Sequence, residues 1–169
     1  MASFETLWKS FPSSGTMKAK CVNKQNASSS PFGNYCAINL SECFIKSGIA
    51  MQSANGAKCW SHKGPKHLLR AEDFAKWLKR SAPPGFGKTE KIAPADFQSV
   101  LDGRTGVIFF KDYWTRGNES DANRSGDHID LWNEDAITSS SMFWRAVSEF
   151  FGAVSDLNKS KEILFWEVK

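Results

Sequence analysis

The stretch Asp127–Asn133 constrains the fold most, because its apolar and polar side chains alternate with the period of a β-strand. Ile129 and Leu131 point to one face of such a strand. The other face carries His128, Asp130 and Trp132. A strand of this kind needs neighbouring strands and an apolar layer on at least one face, so we expect the chain to build a sheet around it. The alternation also predicts a polar, functional face and a separate core face.

Helix and strand patterns recur along the rest of the chain. Helices are predicted from Asn34 to a stop at Gly48, over Ala71–Arg80, over Pro94–Leu101 and from about Met142 to Phe151; strands are predicted over Gly106–Trp114, Asp127–Asn133 and Lys161–Val168. The order is helices first, then strand, strand, helix and strand. This order is typical of an α+β domain with helices packed on a small antiparallel sheet. The length of 169 residues suits one core, so we expect one domain over 1–169.

Composition narrows the class of protein. The sequence contains 41% hydrophobic residues with thirteen Phe and seven Trp, which is enough apolar surface for a packed core. The 22 basic and 18 acidic residues give a net charge of +4. This mild excess favours anionic surfaces such as a cell wall, but the dense basic stripe of a nucleic-acid binder is missing, so we expect no nucleic-acid partner. The longest apolar runs have four residues, and we expect no membrane insertion.

The start of the sequence and its cysteines bear on the cellular compartment. Residues Met1–Phe11 have no basic start, apolar run or small-residue cleavage pattern, so we predict that no Sec signal peptide is present and that the protein is made in the cytoplasm. Four cysteines in 169 residues are a low density. We therefore expect free thiols and no disulfide framework.

Cys36 is the candidate nucleophile, because it stands at the predicted start of a helix. The partial positive charge at a helix N-terminus favours the thiolate, which is the reactive form of the side chain. Cys43 lies two turns deeper in the same helix, and Cys21 and Cys59 lie in segments without a clear pattern. Each of the four thiols is alternatively a small buried apolar group.

His128 is the candidate general base, because it lies on the predicted strand rather than in a loop as His62 and His67 do. A catalytic imidazole must be oriented through its second nitrogen. Asp130, two residues on along the same strand face, or a group within 133–141 can do this. The alternative for Asp130 is that it only solvates a polar strand face.

Two further patterns concern ligands. Cys59, His62 and His67 form a C-x2-H-x4-H spacing, but no second pair of ligands follows, so we predict no metal site and no cofactor. In that interpretation the two histidines lie on the surface and the thiol is buried. Tyr113 and Trp132 are candidates for lining a substrate groove, with core packing as the alternative for aromatic residues in strands.

Two motifs together resemble those of a known family. The segments N-Y-C-A-I-N-L-S at 34–41 and G-D-H-I-D-L-W-N at 126–133 are similar to the nucleophile and histidine motifs of the type VI secretion amidase effectors, family four. Weaker similarity covers L-L-R-x-x-D-F at 68–74, the strand at 106–110 and F-W-E-V at 165–168. The resemblance implies a papain-like, NlpC-type domain with Cys36 as nucleophile and His128 as base.

The resemblance also implies an activity and partners. Family members of this kind are antibacterial toxins that hydrolyse peptidoglycan stem peptides at the amide between D-glutamate and meso-diaminopimelate. They are exported by type VI secretion with a tube protein as carrier, act in the periplasm of the target cell, and are blocked by a cognate immunity protein. We expect the same peptidoglycan substrate and the same two protein partners here.

The sequence departs from the family pattern at three positions. Asn39 replaces an Arg after the nucleophile, and Asp127 is inserted before the histidine. The third, acidic catalytic residue of the family aligns with Ser139. The orienting group is therefore Ser139, Asp130 or Asp135, and the sequence leaves these alternatives open.

Two other functions fit the same residues. One is a cysteine protease or isopeptidase that acts on proteins with the same Cys/His pair, which cleavage of a protein substrate with intact sacculi would indicate. The other is a non-catalytic murein-binding module in which Cys36 only packs, and an unreactive thiol at pH near 6 would favour it.

Overall fold

A computed structural model describes residues 2–13, 15–23, 30–138 and 157–169. The helices are α1 (Phe4–Ser10), α2 (Thr16–Lys20), α3 (Cys36–Lys46), α4 (Ala71–Ser81) and α5 (Phe97–Leu101), with a 3₁₀ turn at Asp121–Asn123. The strands are β1 (Val22–Asn23), β2 (Ser30–Pro31), β3 (Glu90–Ile92), β4 (Arg104–Trp114), β5 (Gly126–Glu134), β6 (Ala136–Ile137) and β7 (Glu162–Glu167). The predicted helix from about Met142 to Phe151 lies outside the described residues.

The main sheet has five strands in the order β3-β7-β4-β5-β6, and every neighbouring pair is antiparallel. The strands β1 and β2 form a separate antiparallel pair. The predicted α+β class with helices on an antiparallel sheet is therefore confirmed. The predicted strands 106–114, 127–133 and 161–168 correspond to β4, β5 and β7, with bounds that differ by two residues at most.

Helix α3 begins and ends where the sequence pattern predicts, within two residues. At its start the backbone N–H of Cys36 donates to Asn34 Oδ1 at 2.9 Å. At its end Gly48 adopts φ +75°, the N–H of Gly48 donates to Ile45 O, and the N–H of Ile49 donates to Phe44 O. These two bonds form a Schellman motif, which explains why a glycine stops the helix at this point.

Helices α4 and α5 differ from the prediction in different degrees. Helix α4 extends one residue beyond the predicted range, and its acidic first turn and basic last turn match the helix dipole. Helix α5 begins at Phe97 instead of Pro94. The residues before it form a turn in which the N–H of Asp96 donates to Ala93 O at 3.0 Å. Pro94 therefore lies in this turn and not at the first position of the helix.

Gly106 allows β4 to lie against β7. A Cβ atom at this position would meet the carbonyl oxygen of Trp166 at 2.2 Å and the ring of Phe165 at 2.8 Å. Only glycine fits a backbone approach this close. The two strands can therefore pair at the centre of the sheet without displacing the aromatic side chains.

Both faces of the sheet are buried. On one face Ile129 and Leu131 pack with α3 and α4, as the alternation predicts. On the other face Trp132 packs with Phe97 and Leu101 of α5. The expectation of a polar face separate from the core is therefore wrong, because a five-residue helix covers the second face and turns its aromatic positions into core.

The two ends of the chain meet. The N–H of Phe4 at the start of α1 donates to the carbonyl oxygen of Lys169 at 3.0 Å. Phe4 and Leu7 of α1 join the core on the α3 side of the sheet. Among the described helices, no helix has the length and apolar character needed to cross a membrane.

Candidate active site

Cys36 is the first residue of α3, so its thiol lies at the positive end of an eleven-residue helix. The helix packs against β5 through its apolar face. Cys36 itself keeps 8% of its surface exposed. The thiol is therefore close to the surface while the rest of the helix start is held in the core.

His128 contacts both Cys36 and Asp130. Its Nε2 lies 3.3 Å from Asp130 Oδ2, and the ring is close enough to the Cys36 side chain for the two groups to interact electrostatically. Nε2 is therefore the ring nitrogen on the side of the Asp130 carboxylate. The imidazole is fully buried, with the rings of Phe110 and Tyr113 each centred 6.5 Å away.

The carboxylate of Asp130 is held firmly in place. Its Oδ1 accepts a hydrogen bond from the N–H of Leu131 at 2.8 Å and a second one from the Thr138 hydroxyl. Asp130 is 1% exposed. The structure thus brings Cys36, His128 and Asp130 together in one buried chain of contacts. Of the other candidates for the third position, Asp135 is exposed and Ser139 lies outside the described residues.

The charge of His128 is strongly affected by these contacts. Burial lowers the pKa of His128, but the interactions with Asp130 and Cys36 outweigh this effect and raise the pKa to about 9. At neutral pH the ring is therefore an imidazolium between a carboxylate and a thiol. A neighbouring cation is one of the features that distinguish reactive cysteines from structural ones.

The raised pKa predicts how stability depends on pH. The protonated His128 is favoured in the folded protein relative to the unfolded value of 6.5, so its contribution is complete below about pH 6.5 and is lost as the pH rises towards 9. We expect the free energy of unfolding to fall by roughly 1–3 kcal/mol over this window. Denaturant unfolding at several pH values should show this fall in the wild type and not in His128→Gln. Equal pH dependence in the two proteins would contradict the prediction.

The inserted Asp127 has a clear structural role. Between the pairs Phe110–His128 and Trp114–Gly126 the register of β4 and β5 shifts, which marks a bulge in β4. Within the bulge Asp112 has φ +50°, and its N–H donates to Asp127 Oδ1 at 3.0 Å. The inserted carboxylate therefore fixes the bulge directly beside His128.

Tyr113 and Trp132 do not line an open groove. They are 2% and 3% exposed, and both belong to the core that α5 covers. The indole N–H of Trp132 donates to the carbonyl oxygen of Leu101 at 2.9 Å. The expectation of substrate contacts through these two side chains is wrong for this structure, and the alternative of core packing holds.

A second group of potential ligands lies apart from Cys36 and His128. Cys21, His62 and His67 place one ligand atom each within 4.8 Å of one another. His67 is fully buried and His62 is half-buried, so the expectation of surface histidines is wrong. The C-x2-H-x4-H spacing includes His62 and His67 of this group. It does not include Cys21, which comes from a distant part of the sequence.

A thiol at a helix start, an imidazole beside it and a carboxylate on a ring nitrogen are the parts used for nucleophilic acyl transfer. Fold and geometry together thus define an α+β protein with a buried Cys–His–Asp group of the kind that hydrolytic enzymes use.

The comparison with protein families is more specific. The family described as "Type VI secretion system (T6SS), amidase effector protein 4" (Tae4) matches residues 32–166, and the chain belongs to this family of amidase effectors.

Solved structures of similar fold agree. The chain is similar to the Tae4 of a Tae4–Tai4 effector-immunity complex from Salmonella Typhimurium, with a TM-score of 0.60, 18% identity and coverage of 100% of this chain and 99% of the other. It is also similar to the Tae4 effector from Enterobacter cloacae, with a TM-score of 0.61, 17% identity and coverage of 100% and 98%. A search of the curated proteins finds no match.

Proposed function

We propose that this effector is an antibacterial peptidoglycan amidase that cuts the amide between D-glutamate and meso-diaminopimelate in murein stem peptides. The observation that carries the proposal is the contact of His128 with both Cys36 and Asp130. The net charge of +4 supports it, because a basic protein is attracted to an anionic cell wall. The whole chain, 1–169, acts as one amidase domain.

The reaction is an acyl transfer in two steps. The Cys36 thiolate attacks the amide carbonyl of D-glutamate, and N–H groups at the start of α3 stabilise the oxyanion. The C–N bond then breaks, and the His128 imidazolium gives its proton to the departing amine. In the second step His128 takes a proton from water and the hydroxide attacks the thioester carbonyl. The C–S bond then breaks, the D-glutamate carboxyl group leaves, and the Cys36 thiolate and His128 imidazolium are restored.

Asp130 is the group that orients His128 in this proposal. Its carboxylate lies 3.3 Å from Nε2 and is itself fixed by Leu131 and Thr138. A carboxylate in this position stabilises the imidazolium that the reaction needs. Ser139 is then dispensable for catalysis, although it aligns with the acidic residue of the family.

The effector acts outside the cell that makes it. We propose export by the type VI apparatus with the tube protein as carrier, action in the periplasm of the target cell, and inhibition by a cognate immunity protein that covers the active site. Support for the last partner comes from the related effectors of Salmonella Typhimurium and Enterobacter cloacae, whose structures are complexes with the immunity protein Tai4.

The test uses purified Gram-negative sacculi, the wild-type protein and mass spectrometry of the muropeptides. We expect loss of the residues beyond D-glutamate from the stem peptides, with a new carboxyl group on D-glutamate. Cleavage at another bond would contradict the proposed specificity and leave the hydrolase in place. Binding to sacculi without any change of the muropeptides would instead support the murein-binding alternative, and cleavage of casein with intact sacculi would support the protease.

A further inference from the structure

The group of potential ligands near the end of α2 contains more members than the spacing in the sequence predicts. Cys21 follows directly after α2, whereas His62 and His67 come from the loop between α3 and α4. Cys21 Sγ lies 3.1 Å from His67 Nδ1, and His62 Nε2 lies 3.0 Å from the same nitrogen. Three potential ligand atoms thus converge on one point from two distant segments.

Cys59 supplies a fourth potential ligand. It belongs to the same buried cluster as Cys21, and its thiol lies 3.2 Å from Ser61 Oγ. Cys21 and Cys59 are both at most 1% exposed and pack together with Met17 and Ile38. Two buried thiols and two imidazoles therefore share one small region.

We propose that Cys21, Cys59, His62 and His67 bind one Zn²⁺ ion in a tetrahedral site that holds the fold together. Two thiolates and two imidazoles are a ligand set typical of closed, structural zinc sites. Around a tetrahedral zinc ion, two nitrogens lie about 3.3 Å apart and a nitrogen and a sulfur about 3.6 Å apart. For Cys21, His62 and His67, whose ligand atoms lie within 4.8 Å of one another, the distances of 3.0 and 3.1 Å to His67 Nδ1 require only a few tenths of an ångström of outward movement. The Cys59 thiol, from the same buried cluster as Cys21, would complete the set of four ligands.

The surroundings of His67 suit a metal ligand. Its Nε2 lies 2.7 Å from Glu42 Oε2, so a proton on Nε2 is donated to the carboxylate and the lone pair of Nδ1 faces the other ligands. A carboxylate behind a histidine ligand in this way fixes the tautomer and strengthens the metal bond. Glu42 is held in turn by Lys20 at 2.9 Å and by Lys46 at 3.7 Å.

Binding is a proton-coupled coordination step. As each cysteine sulfur binds the ion, its S–H bond breaks and the proton passes to solvent. The two thiolates then balance the charge of Zn²⁺, and no oxidant or reductant is required.

The proposed site is connected to the helix that carries the candidate nucleophile. Glu42 lies on α3, and the hydroxyl of Tyr35, the residue before Cys36, donates to the carbonyl oxygen of Cys21 at 2.6 Å. An ion at this point would tie α2 and the loop 57–70 to the start of α3. Its role is structural, and it takes no part in the acyl transfer.

The test measures the metal content of the full chain. The protein is purified without metal-affinity chromatography and is dialysed against a buffer that contains Zn²⁺. Elemental analysis should give about one zinc ion per chain for the wild type and close to none for Cys59→Ser and His62→Ala. Cys43→Ala is the matched control, because Cys43 is a buried cysteine whose thiol donates to Leu7 O, away from the group. It should keep the zinc of the wild type.

Cobalt gives an independent readout. Co²⁺ added to the metal-free wild type should give the intense visible bands of a tetrahedral ion and a thiolate charge-transfer band, and a strong chelator should remove both bands and lower the Tm. His62 is half-buried, so its variant folds even if the Cys59 variant does not. The proposal is wrong if the wild type binds neither metal, or if peptide mapping by mass spectrometry finds a Cys21–Cys59 disulfide, two hydrogen atoms lighter than the free thiols.

Discussion

Cys36→Ala is expected to abolish the hydrolysis of stem peptides, with a loss of turnover on the order of 10⁵–10⁶-fold. The physical reason is that the thiol forms the covalent intermediate, and the alanine leaves His128 without a nucleophile to activate. The expected change in the free energy of unfolding is small, within about 1 kcal/mol, because a small side chain at the edge of the core is shortened by one atom. Release of muropeptides from sacculi and the Tm are the two measurements.

Cys43→Ala is the control for this variant. Cys43 lies on the same helix, is fully buried and donates its thiol proton to Leu7 O at 3.1 Å. This variant should lose stability and keep the turnover of the folded protein. A Cys36→Ala protein that still cleaves sacculi, or that fails to fold while Cys43→Ala folds, would show that Cys36 is structural.

Asp130→Asn is expected to lower kcat by about 10²–10⁴-fold with little change in KM. The amide keeps the shape of the side chain, but it removes the negative charge beside His128 Nε2, 3.3 Å away. The alkaline limb of the pH–rate profile should move to lower pH, because the hydrogen bond to Asp130 raises the pKa of His128. A loss of stability alone would not produce this shift.

Two further variants complete this test. Ser139→Ala should keep nearly full activity, and so should Asp135→Asn, whose side chain is exposed. If Ser139→Ala loses activity by the stated factor while Asp130→Asn does not, Ser139 is the orienting residue and the proposed role of Asp130 is wrong.

The predicted elements that were found share strong local signals. Helix α4 combines an apolar stripe with acidic residues at its start and basic residues at its end, and α3 ends at a glycine. The elements that sequence analysis missed are short: α1 has seven residues, α2 has five and β3 has three. Segments of this length have little periodicity, and tertiary contacts such as the bond from Phe4 to Lys169 decide their structure.

The sequence allowed only some of the neighbours in each cluster of side chains to be predicted. The spacing of Cys59, His62 and His67 lacked a fourth ligand, so the sequence predicted no metal site there. Cys21 approaches these residues only because the end of α2 packs against the loop 57–70. In the same way, the alternation in β5 placed Trp132 on the face of His128 without indicating that α5 covers it.

The sequence by itself determined that Cys36 starts a helix and that His128 and Asp130 share a strand face, because both follow from the fixed backbone geometry of short segments. Only the tertiary structure decided the rest. It placed β7 between β3 and β4, brought α3 against β5 so that the thiol meets the imidazole, and buried both sheet faces. These contacts join residues far apart in the chain, and the packing of the whole core selects them rather than any local pattern.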